Sequence, residues 1–404
     1  MATAKMSVHD RRKFLLIQQE RYLNASRAAK SAMLDAMEAD THLHRKHLIR
    51  LMNSDDIRPR KRNRERGRTY GPEVEHAVRL VADALDWPGA ERVQPVLADM
   101  AQCLARFGHL SLSAPLLSQL HQVSISTVRR IMKRIGRPQD TLPKVGRGRR
   151  PDSVVQSMVP IGVIPWQEPE PGRFEADLVH HTDNNLEGPF VCTLHLVDIF
   201  TGWSERFAIL GYEFEQMWQA VQAFKDRCPI PVREIHTDNG PEFMNMAFVS
   251  HFGSEIVSAR LTRGRPGFKN DNRFVEQKNS SLIRAYLGHL HLYTAEYCAL
   301  LNHLCSDVWG CYNLFVPVVR QTSRRVRRAN TGLVQIVRTQ DSASAPLDRL
   351  LRATPPIPSP TAEQLIALRD GTDPLALKQH IHCHLGELAW LAQRDERSEA
   401  VTFR

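Results

Sequence analysis

Three acidic side chains stand where the pattern of the chain changes from helical to strand-like. Asp177 falls in the alternating run Arg173–His180. Asp238 lies in His236-Thr-Asp-Asn-Gly-Pro-Glu-Phe243, where a strand ends and a helix soon begins. Glu276 lies in Lys269-Asn-Asp-Asn-Arg-Phe-Val-Glu-Gln-Lys-Asn279, on the first turns of a helix. Carboxylate oxygens are the ligands that hard divalent cations such as Mg²⁺ prefer, and a pair of such ions can activate an attacking oxygen while stabilising a leaving one. Phosphoryl transfer on a nucleic-acid backbone asks little covalent chemistry of a protein, mainly positioning and charge neutralisation.

The elements that must position these groups follow from periodicity. Arg173–His180, Phe190–Ile199 and Trp203–Leu210 read as an antiparallel meander, the last two joined by the Thr201-Gly202 turn. Residues 213–227 read as a helix with Phe214, Met217, Trp218, Val221 and Phe224 inside. Val232–Thr237 is a short strand, 241–252 a helix, Glu255–Ala259 another strand and 260–270 a loop. Helices follow at about 271–288 and 294–312. Strands followed by alternating helices and strands imply a mixed sheet with helices on both faces.

Before this core, residues 9–53 read as three short helices, the third capped by Thr41 and basic on its outer face, with Arg45 and Lys46. Arg58–Arg68 holds seven cations in eleven residues and cannot build a core; Arg60, Lys61, Arg62 and Arg64 are placed there to lie along phosphates. A second helical module ends in a helix capped by Ser124, which buries Ile125, Val128, Ile131, Met132 and Ile135. Its other face offers Ser126, Thr127, Arg129, Arg130 and Lys133, hydroxyls and guanidinium forks for bases and phosphates. The domains expected are 1–57 (helix-turn-helix-like), 58–71 (basic linker), 72–136 (second helix-turn-helix module), 137–172 (extended basic connector), 173–315 (mixed α/β core) and 316–404 (small C-terminal domain). In the last of these, 333–338 reads as a strand and 361–395 as helical.

Charge supports a polyanionic partner. The 404 residues carry a net charge of +10, and residues 1–68 alone, with 17 Lys/Arg against 8 Asp/Glu, account for +9 of it. Such concentration favours nucleic acid over a uniformly basic surface. No apolar run is long enough for a membrane span, and the first residues lack the apolar core of a signal peptide. Seven scattered cysteines show no disulfide spacing. A cytoplasmic, nucleoid-associated location in a prokaryote is expected.

At Glu175-Ala-Asp-Leu-Val-His180, Leu196-Val-Asp-Ile-Phe-Thr-Gly-Trp203, His236–Phe243 and Arg265–Asn279 the chain resembles the integrase-core (DDE) transposases of the retroviral-integrase superfamily. The likeness covers about 140 residues and rests on the order and spacing of the pieces. It implies a ribonuclease-H-like fold, a catalytic and metal-binding triad of Asp177, Asp238 and Glu276, and two Mg²⁺ or Mn²⁺ ions. It also implies double-stranded DNA, both element ends and target, as substrate, with cleavage to a 3′-hydroxyl followed by joining. A homo-oligomer, at least a dimer on DNA, and an ATP-using helper protein are partners such systems use. Lys269 and Lys278, flanking Glu276, are candidates for phosphate contact. Two rival functions are a catalytically inactive helix-turn-helix regulator and a ribonuclease-H-type nuclease that cuts without joining.

Several neighbours have simpler roles. Glu175 shares a strand face with Asp177 and is the alternative ligand. Asp198 suits a turn, Glu242 the first turn of a helix, and Asp271 a cap on the helix of Glu276. His380-Ile-His-Cys-His384 resembles a metal tract, but adjacent helical positions point different ways and no partner pair follows. His44 and His47 lack the Cys-x-x-Cys that a zinc-binding amino-terminal domain needs.

Overall fold

The computed structural model describes residues 6–54, 57, 69–136, 168–182, 188–238, 243, 259–265, 272–288, 290–328 and 334–402. The chain divides into two compact units, Met1–Thr69 and Tyr70–Arg404. The expected linker residues Arg60, Lys61, Arg62 and Arg64, most of the 137–172 connector, the 241–252 helix apart from Phe243, Glu242, Asp271 and Lys269 lie outside the described residues.

The first unit holds α1 (Val8–Leu23), α2 (Arg27–Thr41) and α3 (Arg45–Met52), closed around Leu15, Tyr22, Leu34, Met37, Leu48 and Met52. Thr41 does not cap α3. It is the last residue of α2, its hydroxyl bonded back to the Met37 carbonyl, and His42 then takes a left-handed conformation that ends the helix. His44 is the cap, its Nδ1 accepting from the Lys46 N–H at 3.2 Å.

The second unit opens with four helices: α4 (Pro72–Ala84), α5 (Ala90–Arg106), α6 (Ala114–Gln122) and α7 (Ile125–Ile135). Val78, Val81, Leu97, Leu104, Leu120 and Val128 form their shared core. Only Val123 and Ser124 separate α6 from α7, and the Ser124 hydroxyl accepts the Thr127 N–H, as the sequence led one to expect.

A five-stranded mixed sheet follows, in the order β3-β2-β1-β4-β5. β1 (Arg173–His180), β2 (Val191–Asp198) and β3 (Ser204–Leu210) are the antiparallel meander. β4 (Glu234–Thr237) and β5 (Arg260–Arg263) run parallel to β1. β5 falls in the expected Arg/Gly/Pro loop of 260–270, while the strand expected at 255–259 lies outside the described residues apart from Ala259. Leu261, Thr262 and Arg263 complete the sheet by pairing with Ile235, His236 and Thr237, and this outweighs their loop-like composition.

Period-2 alternation assigns each strand residue to one of two covered faces. Phe174, Cys192, Leu194, Leu196 and Phe207 share a core with Val221 and Phe224 of α8 (Phe214–Arg227); Phe174 and Phe224 meet edge-on at 5.0 Å. The other face carries Val179, Val191 and Ala208. It packs against α9 (Arg273–Lys278), the π-helical stretch Asn279–Arg284 and turn Ala285–Leu287 that continue it, and α10 (Ala295–Leu314). The expected helix at 271–288 is therefore one rod, wound wider in its middle.

Beyond α10 a hairpin of β6 (Gln321–Arg328) and β7 (Val334–Gln340) precedes α11 (Pro346–Leu351), α12 (Ser359–Asp370) and α13 (Pro374–Thr402). α13 packs along α10 and reaches the four-helix module: Lys378 Nζ donates to the Asp83 carbonyl at 2.5 Å, and His109 meets Asp373 at 2.7 Å. Residues 346–395 thus join the core and the module instead of standing as a separate small domain.

Two buried histidines sit on the α9/α10 face. His181 and His195 are each held down to about 3, mainly because burial penalises the charged ring, with Arg284 and Arg206 respectively adding repulsion. The unfolded chain protonates these rings near pH 6.5 while the folded one does not, so stability falls as pH drops from 6.5 toward 3. Urea unfolding followed by tryptophan fluorescence should show a loss of up to about 4 kcal/mol between pH 7.5 and pH 5, halved in His181→Gln. Equal stability at the two pH values would contradict burial of these rings.

Candidate active site

The sheet reverses its direction of growth between β1 and β4, since β2 and β3 extend it one way and β5 the other. Crevices at such switch points, outside the carboxyl ends of parallel strands, are where open α/β sheets bind ligands. β1 and β4 pair in register through Ala176 and Thr237. One residue further on, Asp177 and Asp238 follow those partners on strands spaced roughly 4.8 Å apart. Both are half-buried.

The helix that carries Glu276 is anchored to β1 by main-chain contacts at its start. Glu175, fully buried on β1, accepts the main-chain N–H groups of Phe274 and Val275 on one oxygen, at 2.6 and 2.9 Å. This satisfies donors that a helix start leaves open and sets negative charge at its positive end. Asn272 adds a bond from its amide to the Ala176 carbonyl at 3.2 Å. The start of α9 is thereby pinned to β1, with Glu276 on its first turns. One turn later the Asn279 amide donates to Asp177 Oδ2 at 2.5 Å, while Asp177 Oδ1 takes the Leu178 N–H. Glu276 and Asn279 are i,i+3 neighbours on one helix face. Of the two carboxylates on the β1 face, Glu175 is thus occupied as a helix cap.

Behind Asp177 runs a buried polar chain. Asn279 Oδ1 meets His195 Nδ1 at 2.5 Å, and His195 Nε2 meets the Ser204 hydroxyl at 2.7 Å. Asn313 of α10 clamps the Ser204 backbone, accepting its N–H and donating to its carbonyl, both at 2.9 Å. Asp198 stands apart from this chain. It takes the N–H and hydroxyl of Thr201 and the N–H of Gly172, which makes it a turn residue, and burial raises its pKa against those bonds.

The candidate DNA contacts divide. Lys278 is half-buried, its Nζ 4.9 Å from the ring of Tyr312, and burial with repulsion from Arg92, Arg206 and Arg349 brings its pKa to about 7. Arg45 pairs with Asp35 and donates to the Ser31 hydroxyl at 2.7 Å, bracing α3 against α2, whereas Lys46 is exposed. On α7, Arg129 pairs with Glu91 of α5, and Arg134 with Glu75 of α4. Arg130 reaches back to the Thr127 hydroxyl at 3.1 Å, and Ser126 and Lys133 are exposed. In the histidine-rich tract, His384 lies 3.0 Å from Asp307 on α10.

Among the described residues no group of three or more His, Cys, Asp or Glu side chains is gathered at metal-binding distance. No described helix is long and apolar enough to cross a membrane. Sequence reasoning missed His195, Ser204, Asn279 and Asn313. The signals were present: a histidine in the otherwise apolar run Val191-Cys-Thr-Leu-His-Leu-Val197, and an asparagine one turn after Glu276.

No family model matches the chain. A protein of Sinorhizobium fredii (strain NBRC 101917 / NGR234), "Uncharacterized protein y4rM", is 34% identical over 301 residues, 74% of this chain and 84% of that protein. The chain belongs to the same family as y4rM. Among solved structures, a simian T-cell lymphotropic virus intasome in complex with the PP2A regulatory subunit B56 gamma is 18% identical, with a TM-score of 0.27, covering 52% of this chain and 67% of that one. The catalytic core domain of BIV integrase is 19% identical, with a TM-score of 0.26, covering 35% of this chain and 83% of that one.

The cap of α9 has a direct test. Glu175→Ala leaves two buried N–H groups without their acceptor and should destabilise the protein by about 1–3 kcal/mol in urea unfolding. A change below roughly 0.5 kcal/mol would mean that α9 is held by packing alone.

Proposed function

We propose that this protein is a transposase or integrase that cuts DNA at the ends of a mobile element and joins the exposed 3′-hydroxyl to target DNA. The observation that carries the reading is the placement of the carboxylates. Asp177 and Asp238 follow paired residues at the β1/β4 switch point, and the helix of Glu276 is pinned to β1 beside them. The strand order and directions are those a ribonuclease-H-like core requires, and the motifs at these positions resemble the DDE transposases.

The donor set suits hard divalent ions, being oxygen-only and placed at one end of the sheet. Asp177, Asp238 and Glu276 would hold two Mg²⁺ or Mn²⁺ ions, which supply charge neutralisation and Lewis acidity at the scissile phosphate. The residues present at the site do the positioning. Asn279 holds Asp177 Oδ2, and Glu175 fixes the depth and direction of α9. The exposed Ser126 and Lys133, together with Arg130, would read element ends in the major groove, with α6 and α7 as the helix pair of a helix-turn-helix. One active site per DNA end calls for at least a dimer on DNA.

The test uses DNA from both sides of the gene, including any inverted repeats found there, with Mg²⁺ or Mn²⁺. Asp177→Asn, Asp238→Asn and Glu276→Gln should each lower strand cleavage and joining by more than about 100-fold. Their DNA affinity should stay within about twofold of wild type, since phosphate contacts elsewhere carry binding. Normal joining by any of the three would remove that residue from the site. Wild-type protein that binds this DNA yet cuts nothing would favour a DNA-binding regulator.

Binding has its own signature. Lys133→Ala should reduce the slope of log K against log salt by about 1, for one phosphate neutralised. An unchanged slope would place DNA elsewhere than α7.

A further inference from the structure

We infer that His195 is a positioning residue, whose Nδ1–H tautomer fixes the amide of Asn279 so that it presents an N–H, and not its carbonyl, to Asp177. The proposal deepens the metal-carboxylate reading above and rests on it for its consequence, though not for the orientation itself.

The donor logic runs in one direction. A carboxylate only accepts, so Asn279 must give Asp177 its Nδ2–H. Its Oδ1 then faces His195 Nδ1, and that nitrogen must carry the proton. His195 Nε2 is left as an acceptor, which the Ser204 hydroxyl fills. Each donor is thus directed along the chain toward Asp177. The opposite polarity is self-consistent only if Asp177 is neutral and donates to Asn279 Oδ1. It would also turn the imidazole into a donor toward Ser204 and leave the serine proton to find another acceptor.

Several facts make this chain a fixed device instead of a set of incidental bonds. His195 is fully buried and Asn279 nearly so, which excludes water as a substitute partner. Ser204 cannot drift, because Asn313 grips its backbone from both sides. The residues come from β1, β2, β3, the π-helical continuation of α9, and α10, so the packing of the whole face sets the orientation of one carboxylate. His195 and Asp177 are also cross-strand partners in the register of β1 and β2, and Asn279 spans the pair from above the sheet. Groups that orient metal-binding side chains typically matter 10–100-fold for ion affinity.

Two measurements on the full chain test the proposal. Nitrogen-15 labelling of histidine reports which ring nitrogen of His195 is protonated at pH 7, with the signal assigned by its loss in His195→Asn. A proton on Nδ1 is expected; a proton on Nε2 overturns the proposal. Calorimetric titration with Mn²⁺ alone then compares wild type, His195→Leu, His195→Asn and Asp177→Asn, each checked for folding by circular dichroism. His195→Leu should weaken Mn²⁺ about tenfold, whereas His195→Asn, which keeps an N–H where Nδ1 stood, should stay within about threefold. Wild-type affinity in His195→Leu, or an equal loss in both variants, overturns the positioning role. Asp177→Asn separates the two ideas: undiminished Mn²⁺ binding there contradicts the metal-site reading itself, and the tautomer still decides the orientation of Asn279. Should His195→Leu fail to fold, the wild-type tautomer and the Mn²⁺ affinity of His195→Asn still support or overturn the proposal.

Discussion

Glu175 takes two main-chain N–H groups from α9, a helix that begins about a hundred residues further along the chain, and the site depends on that contact. Without it the start of α9 would lose the acceptor of two N–H groups, and the bonds of Asn272 to the Ala176 carbonyl and of Asn279 to Asp177 act with it to set the helix on β1. Because the bond is buried, it is strong and directional, and Glu276 and Asn279 inherit their positions from it. The neighbouring strand residue on the same face, Asp177, is the one that Asn279 reaches. A strand alternation and a helix turn, combined at one contact, therefore bring residues 175, 177, 276 and 279 to one end of the sheet.

The two faces of the sheet are built to different rules. The α8 face is largely apolar in β1 to β3; on it Glu205 accepts the indole N–H groups of Trp203 and Trp309 and pairs with Arg227, and Asp198 closes the turn after β2. The α9/α10 face is polar at its centre, with Thr193, His195, Ser204 and Arg206 buried in β2 and β3. A buried polar group without a partner is expensive, and most of these are satisfied by one another. Arg206 is the costly member: its three nitrogens have no hydrogen-bond partner among the described residues, and its guanidinium lies 5.7 Å from the ring of Tyr312. Lys278 approaches the same ring, and its low pKa eases the repulsion between the two cations. Burying such groups costs stability relative to an aliphatic core unless each finds a partner.

Much of this was legible beforehand. The meander, α8, β4 and the capped α7 follow from period and turn chemistry, and the carboxylates stood out by their motifs. Local pattern failed where tertiary pairing decides. Leu261, Thr262 and Arg263 look like loop but pair with β4, and Thr41 looks like a cap but ends α2. Alternation puts Glu175 and Asp177 on one face, so the choice of Asp177 rested on the resemblance of the motif, and the use of Glu175 as a cap appears only with the arrival of α9. His195 and Ser204 remained hidden for the same reason: a polar residue inside a strand declares its partner only when the strands pair in register. Residues 346–395 were hardest, since packing on α10 and on the four-helix module is a property of surfaces that meet only after folding.

The proposed function requires that Asp177, Asp238 and Glu276 converge to bind divalent ions where a DNA strand is cut. Anomalous diffraction from crystals equilibrated with Mn²⁺ tests it most directly. A metal site there gives a peak at roughly 2.0–2.3 Å from oxygens of both Asp177 and Asp238, with Glu276 completing its own ion or a second one close by. Peaks bound elsewhere, or saturating Mn²⁺ with those carboxylates still apart and unligated, would contradict it.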